Sequence, residues 1–327
     1  MVFKVGSTRD LLRADGTPCF AEAAFEELAR NPDIDWEWIP EELTEITPDI
    51  AARYDGLHVN APPVTGASIA RDDCRVKIIA RNGVGFDNVD VAACAAKGIT
   101  VTNTPLAIQR PVAVAALTLI FALSGRLFTK DRLVREGRWA EKADYMGTGL
   151  TTRTLGLVGA GGIGKELLPL ARPFFGRIAV ADPYVGADTI AALGGEKVEL
   201  GTLLAQADFV VTATPLNDET HHLMNADAFA AMKPTACFVN VARGPVHDEA
   251  ALIEALQTGQ IAAAGLDVTE QEPIAPDNPL LTMDNTILTP HALCWTDECF
   301  EDIARTALRS IVDVSLGLEP KHPVLPT

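Results

Sequence analysis

The chain has 327 residues, 48% of them apolar, with 27 basic against 44 acidic side chains and a formal net charge of -17. That length suits two domains with sizeable cores, and that charge argues against nucleic acid or an anionic membrane surface as a partner. An anionic substrate would need a local cationic site to overcome the global field.

The N-terminus, MVFKVGSTRD, has no apolar core of a secretory signal. The longest apolar run, residues 112–123, is too short to span a bilayer and reads as a buried helix. Six cysteines (Cys19, Cys74, Cys94, Cys237, Cys294 and Cys299) show no C-x-x-C pair and no zinc-ligand spacing. They fit small core residues in a reducing compartment rather than a metal site. A soluble, cytoplasmic protein is the expectation.

Up to about residue 103, apolar runs at 3–5, 57–59, 76–80 and 99–101 read as strands, with helical patterns at 21–30 and 91–97 between them. Asp90 is placed to cap the second helix and Gly98 to stop it. This is a small parallel α/β domain. Asn103-Thr104-Pro105 breaks the pattern, and a long helix from near Pro111 past Leu123 reads as the crossover into a second domain.

The chain's most informative stretch is TLGLVGAGGIGKELLPLARPFFGRIAVAD, residues 154–182. A buried strand at 155–158 runs into Gly159, Gly161 and Gly164 in G-x-G-x-x-G spacing; a helix follows, then a strand at 178–181 ending on Asp182. Gly159 permits a sharp turn, Gly161 leaves room for a pyrophosphate, and Gly164 lets helix and strand pack closely. The helix N-terminus, through Gly162 and Ile163, offers unpaired N–H groups to phosphates. Asp182 is placed to accept both hydroxyls of an adenosine ribose. No cation among Pro183, Tyr184, Val185 and Gly186 is there to receive a 2′-phosphate, which favours NAD over NADP. Pro169 predicts a kink or a short helix.

Further strands are predicted at 209–213, 237–241, 262–266 and 286–288, making six for a doubly wound dinucleotide fold. Asp248 caps a helix at 249–258, and Gly259 stops it. The apolar helix at 300–314 has no strand left to serve there, so it is expected to pack back on the first domain.

Ligands in such sheets bind beyond the carboxyl ends of strands. Arg243, Glu272 and His291 each follow a strand end. An arginine can clamp a carboxylate and polarise the adjacent carbonyl. A histidine can pass a proton to that carbonyl's oxygen, and a glutamate can fix its tautomer and favour the imidazolium. Each residue alone is more often a solvated or structural group; their shared placement beside a dinucleotide motif reverses that.

At this point the chain resembles the D-isomer-specific 2-hydroxyacid dehydrogenase family over nearly its whole length. The matching segments are RNGVGFDNVD at 81–90, NTP at 103–105, TLGLVGAGGIG at 154–164, MKPTACFVNVARGPVHDEAALIEAL at 232–256, GLDVTEQEP at 265–273 and LTPHA at 288–292. The resemblance implies two doubly wound parallel-sheet domains, flavodoxin-like and Rossmann-like, with a cleft between them and usually a dimer. The substrate domain would comprise 1–103 with 293–327, and the NAD domain 104–292. It implies that Arg243, Glu272 and His291 are catalytic and that backbone amides of Asn82, Gly83, Val84 and Gly85 hold the substrate carboxylate. It also implies that Thr214, Pro215, Ala242 and Asp267 line the nicotinamide side. The expected activity interconverts a small D-2-hydroxy acid and its 2-oxo acid with NAD(H).

The chain departs from the family at Leu106 and Val112-Ala113-Val114, where a Gly and later Val-Ala-Glu are common, and at Ala292-Leu293-Cys294-Trp295-Thr296. Arg110 reads as a solvated charge or a reader of a second anionic group. Trp295 reads as a pocket wall or as packing, and Cys294 as packing. The rivals are a dinucleotide-sensing corepressor-like protein and two other enzymes of the family. A phosphoglycerate dehydrogenase lacks, here, an appended regulatory domain and a clear cationic cluster. A formate dehydrogenase-like member would carry Gln in place of Glu272.

Overall fold

A computed structural model describes residues 2–326. The chain forms two compact units, Met1–Ile108 with Trp295–Thr327, and Gln109–Cys294.

The first unit is built on a five-stranded parallel sheet: β1 (Phe3–Ser7), β2 (Ile34–Trp38), β3 (Gly56–Val59), β4 (Ile78–Arg81) and β5 (Thr100–Thr102), in the order β2-β1-β3-β4-β5. The central β3 is buried throughout, as a strand covered on both faces must be. The sequence pattern missed β2. It lies at the sheet edge and alternates Ile-Asp-Trp-Glu-Trp, with no residue fully buried. The helix expected over 21–30 is instead a 3-10 turn, Glu22–Phe25, and one α-turn, Glu26–Ala29. Asp90 does cap helix Val91–Ala96, accepting from Ala93 N at 2.9 Å, and Gly98 follows with φ 71°. The C-terminal helix Asp297–Ser315 packs on β3 and β4, with Ile311 resting on Gly56.

The second unit holds β6 (Thr154–Val158), β7 (Arg177–Ala181), β8 (Glu196–Lys197), β9 (Phe209–Thr212), β10 (Cys237–Asn240), β11 (Ala263–Leu266) and β12 (Thr286–Leu288). All pair in parallel, in the order β12-β11-β10-β9-β6-β7-β8. This is the doubly wound order, with its switch point between β6 and β9. The six predicted strands are present; the seventh, β8, is a two-residue edge strand too short and polar to show in the sequence. Helix Glu249–Gln257 starts at Asp248, which accepts from Ala251 N, and Gly259 follows it with φ 71°.

Helix Gln109–Gly125 lies on β10 and β11, with Leu119 and Leu123 against Gly265. A second helix, Leu127–Arg135, follows at 55°. By length and composition this bent pair passes as a broken span, although the first helix is largely buried within its unit. No single helix among the described residues is long and apolar enough to cross a membrane.

Candidate active site

The glycine turn sits at the switch point. Gly159 has φ 94°, and a Cβ there would stand 2.7 Å from Ala213 O, on the loop that leaves β9. A Cβ on Gly164 would collide with Gly159 O, so only glycine lets helix Gly162–Ala171 sit this close to the turn. A Cβ on Gly161 would meet nothing within 4 Å, so the space in front of this backbone is open to a bulky anion. The residues present therefore fit a pyrophosphate. Pro169 lies inside this helix, where it removes the bond an N–H would make to Lys165 O, and the helix ends two residues later.

Asp182 closes β7 and is already engaged. One oxygen accepts from Ala160 N at 2.7 Å, the other from Tyr184 N and Val185 N at 2.8 Å each. Burial pushes its carboxyl up, but these three amides together hold it below the ordinary value. Asp182 thus ties the glycine turn to the loop after β7. The sequence reading missed a cation here: Lys197 of β8 donates to Val185 O at 2.7 Å, and its charge acts on Asp182.

The adjacent strands β10, β11 and β12 end at one edge of the sheet and are followed by Arg243, Glu272 and His291. His291 Nδ1 meets Glu272 Oε2 at 2.8 Å, and the other Glu272 oxygen accepts from Thr269 N at 3.2 Å. Burial raises the Glu272 carboxyl, yet it is held below its usual value by His291, Thr269 N and the nearby charge of Arg243. His291 adopts φ 54°, which costs strain for a non-glycine residue and is held by local bonds. Its N–H donates to Asp267 O at 2.8 Å, while the Asp267 carboxylate accepts from the Thr289 hydroxyl at 2.6 Å and from Ala292 N and Leu293 N at 3.1 Å each. Nearly buried, Asp267 is the anchor of the histidine loop, a role the sequence did not reveal. Arg243 and Glu272 are likewise coupled: a Cβ on Gly244 would collide with Thr269 O. Ala242 is buried at the end of β10; Thr214 and Pro215 follow β9 and are partly to largely exposed.

In the first unit, the loop Asn82–Gly85 follows β4. Its carbonyls are tied back: Asn82 O by Arg81 Nη1 at 2.7 Å, Gly83 O by Thr104 N at 3.0 Å, and Val84 O by Asn103 Nδ2 at 2.8 Å. The N–H groups of Val84 and Gly85 reach no protein acceptor among the described residues. Such a loop presents donors and hides acceptors, as an anion-binding turn does.

Residues 117–292 match the family model described as D-isomer specific 2-hydroxyacid dehydrogenase, NAD binding domain. The chain belongs to the D-isomer specific 2-hydroxyacid dehydrogenases. It is 40% identical over 253 residues to a glyoxylate reductase of Korarchaeum cryptofilum, covering 76% of each chain. It is 35% identical over 272 residues to a D-3-phosphoglycerate dehydrogenase of Archaeoglobus fulgidus, covering 83% of this chain and 51% of that one. It thus spans about half the length of the phosphoglycerate dehydrogenases it matches. Among solved structures, the TT0316 protein from Thermus thermophilus superposes with a TM-score of 0.85 at 32% identity, covering 99% of this chain and 100% of that one.

Where this dehydrogenase departs from its family, the environments are now visible. Arg110 pairs with Glu166 at 3.3 Å on an exposed surface, as a solvated charge does. Leu106 and Val114 are exposed. Trp295 packs on Phe300 with ring centroids 4.5 Å apart and is 45% exposed, so it is not a core residue. None of the six cysteines is in a disulfide, and only Cys94 and Cys299 are buried.

Proposed function

We propose that this dehydrogenase interconverts a small D-2-hydroxy acid and its 2-oxo acid with NAD(H), in the manner of a glyoxylate or hydroxypyruvate reductase. One observation carries the reading. Three neighbouring parallel strands deliver an arginine and a bonded histidine–glutamate pair to the same sheet edge as the dinucleotide turn. Bound NADH supplies the hydride. Arg243 holds the substrate carboxylate and polarises the adjacent carbonyl. His291 gives the Nε2 proton to the carbonyl oxygen, and Nδ1 remains bonded to Glu272, whose charge stabilises the imidazolium before transfer. In the reverse direction the same nitrogen takes the hydroxyl proton. The open amides of Val84 and Gly85 suit the role of carboxylate donors that the family resemblance gives the Asn82–Gly85 loop. Asp182, with three acceptor positions used by backbone, keeps room for a ribose hydroxyl and disfavours a 2′-phosphate.

This reading includes a homodimer in a reducing, cytoplasmic setting. Leu127, Phe128, Val134, Trp139 and Met146, all more than half exposed, crowd one short stretch of the second unit; apolar exposure on that scale marks an interaction surface. Replacing Phe128 by Glu should shift the sedimentation coefficient to that of a monomer, and an unchanged value removes that stretch from the interface.

The decisive assay follows NADH oxidation against glyoxylate, hydroxypyruvate, pyruvate and branched or phenyl-substituted 2-oxo acids, each repeated with NADPH. Turnover of one or two substrates with NADH preferred is expected. Replacing His291 by Ala should then lower turnover by roughly 10²–10⁴-fold; wild-type turnover in that variant would remove His291 from the chemistry.

A further inference from the structure

Beneath Arg243 lies a buried polar group that the proton and hydride transfers do not use. Asn240 closes β10 and is 0% exposed. Its Oδ1 accepts from Ala242 N and from the Thr212 hydroxyl, each at 2.9 Å. Its Nδ2 donates to Arg243 O at 2.9 Å and meets His247 Nδ1 at 2.9 Å. The backbone settles which way this amide faces. Turned over, its NH2 would oppose the Ala242 N–H and its oxygen the Arg243 carbonyl.

The second Nδ2 hydrogen therefore points at His247 Nδ1, so that nitrogen is an acceptor and the ring proton sits on Nε2. His247 Nε2 is buried with no hydrogen-bond partner among the described residues. An orphaned buried donor is unfavourable, and an aliphatic residue at 247 would remove it, at the expense of stranding a hydrogen of Asn240 directly under Arg243. What the imidazole supplies is an acceptor that locks the amide in place. The chain of bonds then reaches the guanidinium, because Arg243 Nη1 folds back onto Ala242 O at 2.8 Å. Asn240 thus grips the peptides on both sides of that contact, through Ala242 N and Arg243 O.

We infer that Asn240 and His247 are positioning residues for Arg243, setting the backbone from which the guanidinium meets the substrate carboxylate. The inference rests on Arg243 being the carboxylate clamp. Clamp geometry tolerates little error, since displacement by about 1 Å can cost 10²-fold in rate.

The test measures kcat and KM for glyoxylate and hydroxypyruvate, and NADH affinity by fluorescence, in His247→Leu, His247→Asn and Thr212→Val. His247→Leu should raise KM and lower kcat/KM by roughly 10- to 100-fold, with NADH affinity unchanged. His247→Asn should recover most of this, because its Oδ1 stands where Nδ1 stood. Thr212→Val removes one hydroxyl bond to Asn240 and should shift KM the same way by less. In an Arg243→Ala background, His247→Leu should have no further effect. Wild-type KM in His247→Leu, or an undiminished loss in the Arg243→Ala background, overturns the inference. Should His247→Leu fail to fold, wild-type KM in Thr212→Val overturns it alone. If Arg243→Ala by itself behaves as wild type, the clamp reading falls instead.

Discussion

Two loops of this molecule are anchored by the same pair of residue types, used in opposite senses. In the first unit the buried His58 lies 3.0 Å through Nε2 from Asn82 Oδ1, so the imidazole donates and the asparagine accepts. In the second unit Asn240 donates and His247 accepts. The outcomes differ accordingly. The Asn82 loop has its carbonyls tied down and leaves bare N–H groups at Val84 and Gly85, so what it can offer an anion is backbone, indifferent to side-chain identity at 84. The loop after Asn240 has its backbone gripped from below and projects a single charged side chain. One anchor makes a neutral cradle, the other aims a cation.

The comparison breaks most readily at the cation. Arg243→Ala should lower kcat/KM by at least about 10²-fold, the order expected when a charge-assisted hydrogen bond of roughly 3 kcal/mol is lost; steady-state kinetics with glyoxylate checks it. At the cradle, Gly83 has φ 134°, a region L side chains rarely enter. Gly83→Ala should raise KM for the oxo acid more than it lowers kcat, and equal NADH affinity would localise the damage.

Both anchors share a dependence on pH. Burial pushes His58 and His247 down to about 4 from an ordinary 6.5. The unfolded chain therefore binds protons that the folded chain refuses between those values. Stability is fully present above about pH 6.5 and is lost as pH falls toward 4, by up to roughly 3 kcal/mol for each ring. Urea unfolding at pH 7.5 and 5 should show the loss, and His247→Asn should remove part of it. The smallest effect is local: Asp90→Ala, which removes the cap on helix Val91–Ala96, should cost about 1 kcal/mol in the same unfolding assay with kinetics unchanged.

Legibility in the sequence followed burial and locality. The glycine turn, its strands and the Asp248 and Asp90 caps are short-range features, and the residues alone placed them. The edge strands β2 and β8 escaped because one alternates half-exposed residues and the other has two residues. At the site, Arg243, Glu272 and His291 stood out as charged groups after apolar strands. Asn240 did not, and Asp267 entered only through the family resemblance, because their work is to bond backbone amides that only the fold brings near. Lys197 escaped for a similar reason, arriving beside Asp182 from a strand 15 residues further along the chain.

The collision awaiting any side chain at Gly244 has a consequence for inheritance. Because the arginine loop and the glutamate segment touch backbone to backbone there, neither can drift without the other. On the proposed reading, variation that retunes substrate choice is steered away from residues 243–246 and toward positions such as Val84, where a side chain can change and the donor groups stay. A library built to redirect this enzyme to a bulkier 2-oxo acid should vary the first unit's loop and leave the Gly244–Thr269 junction intact.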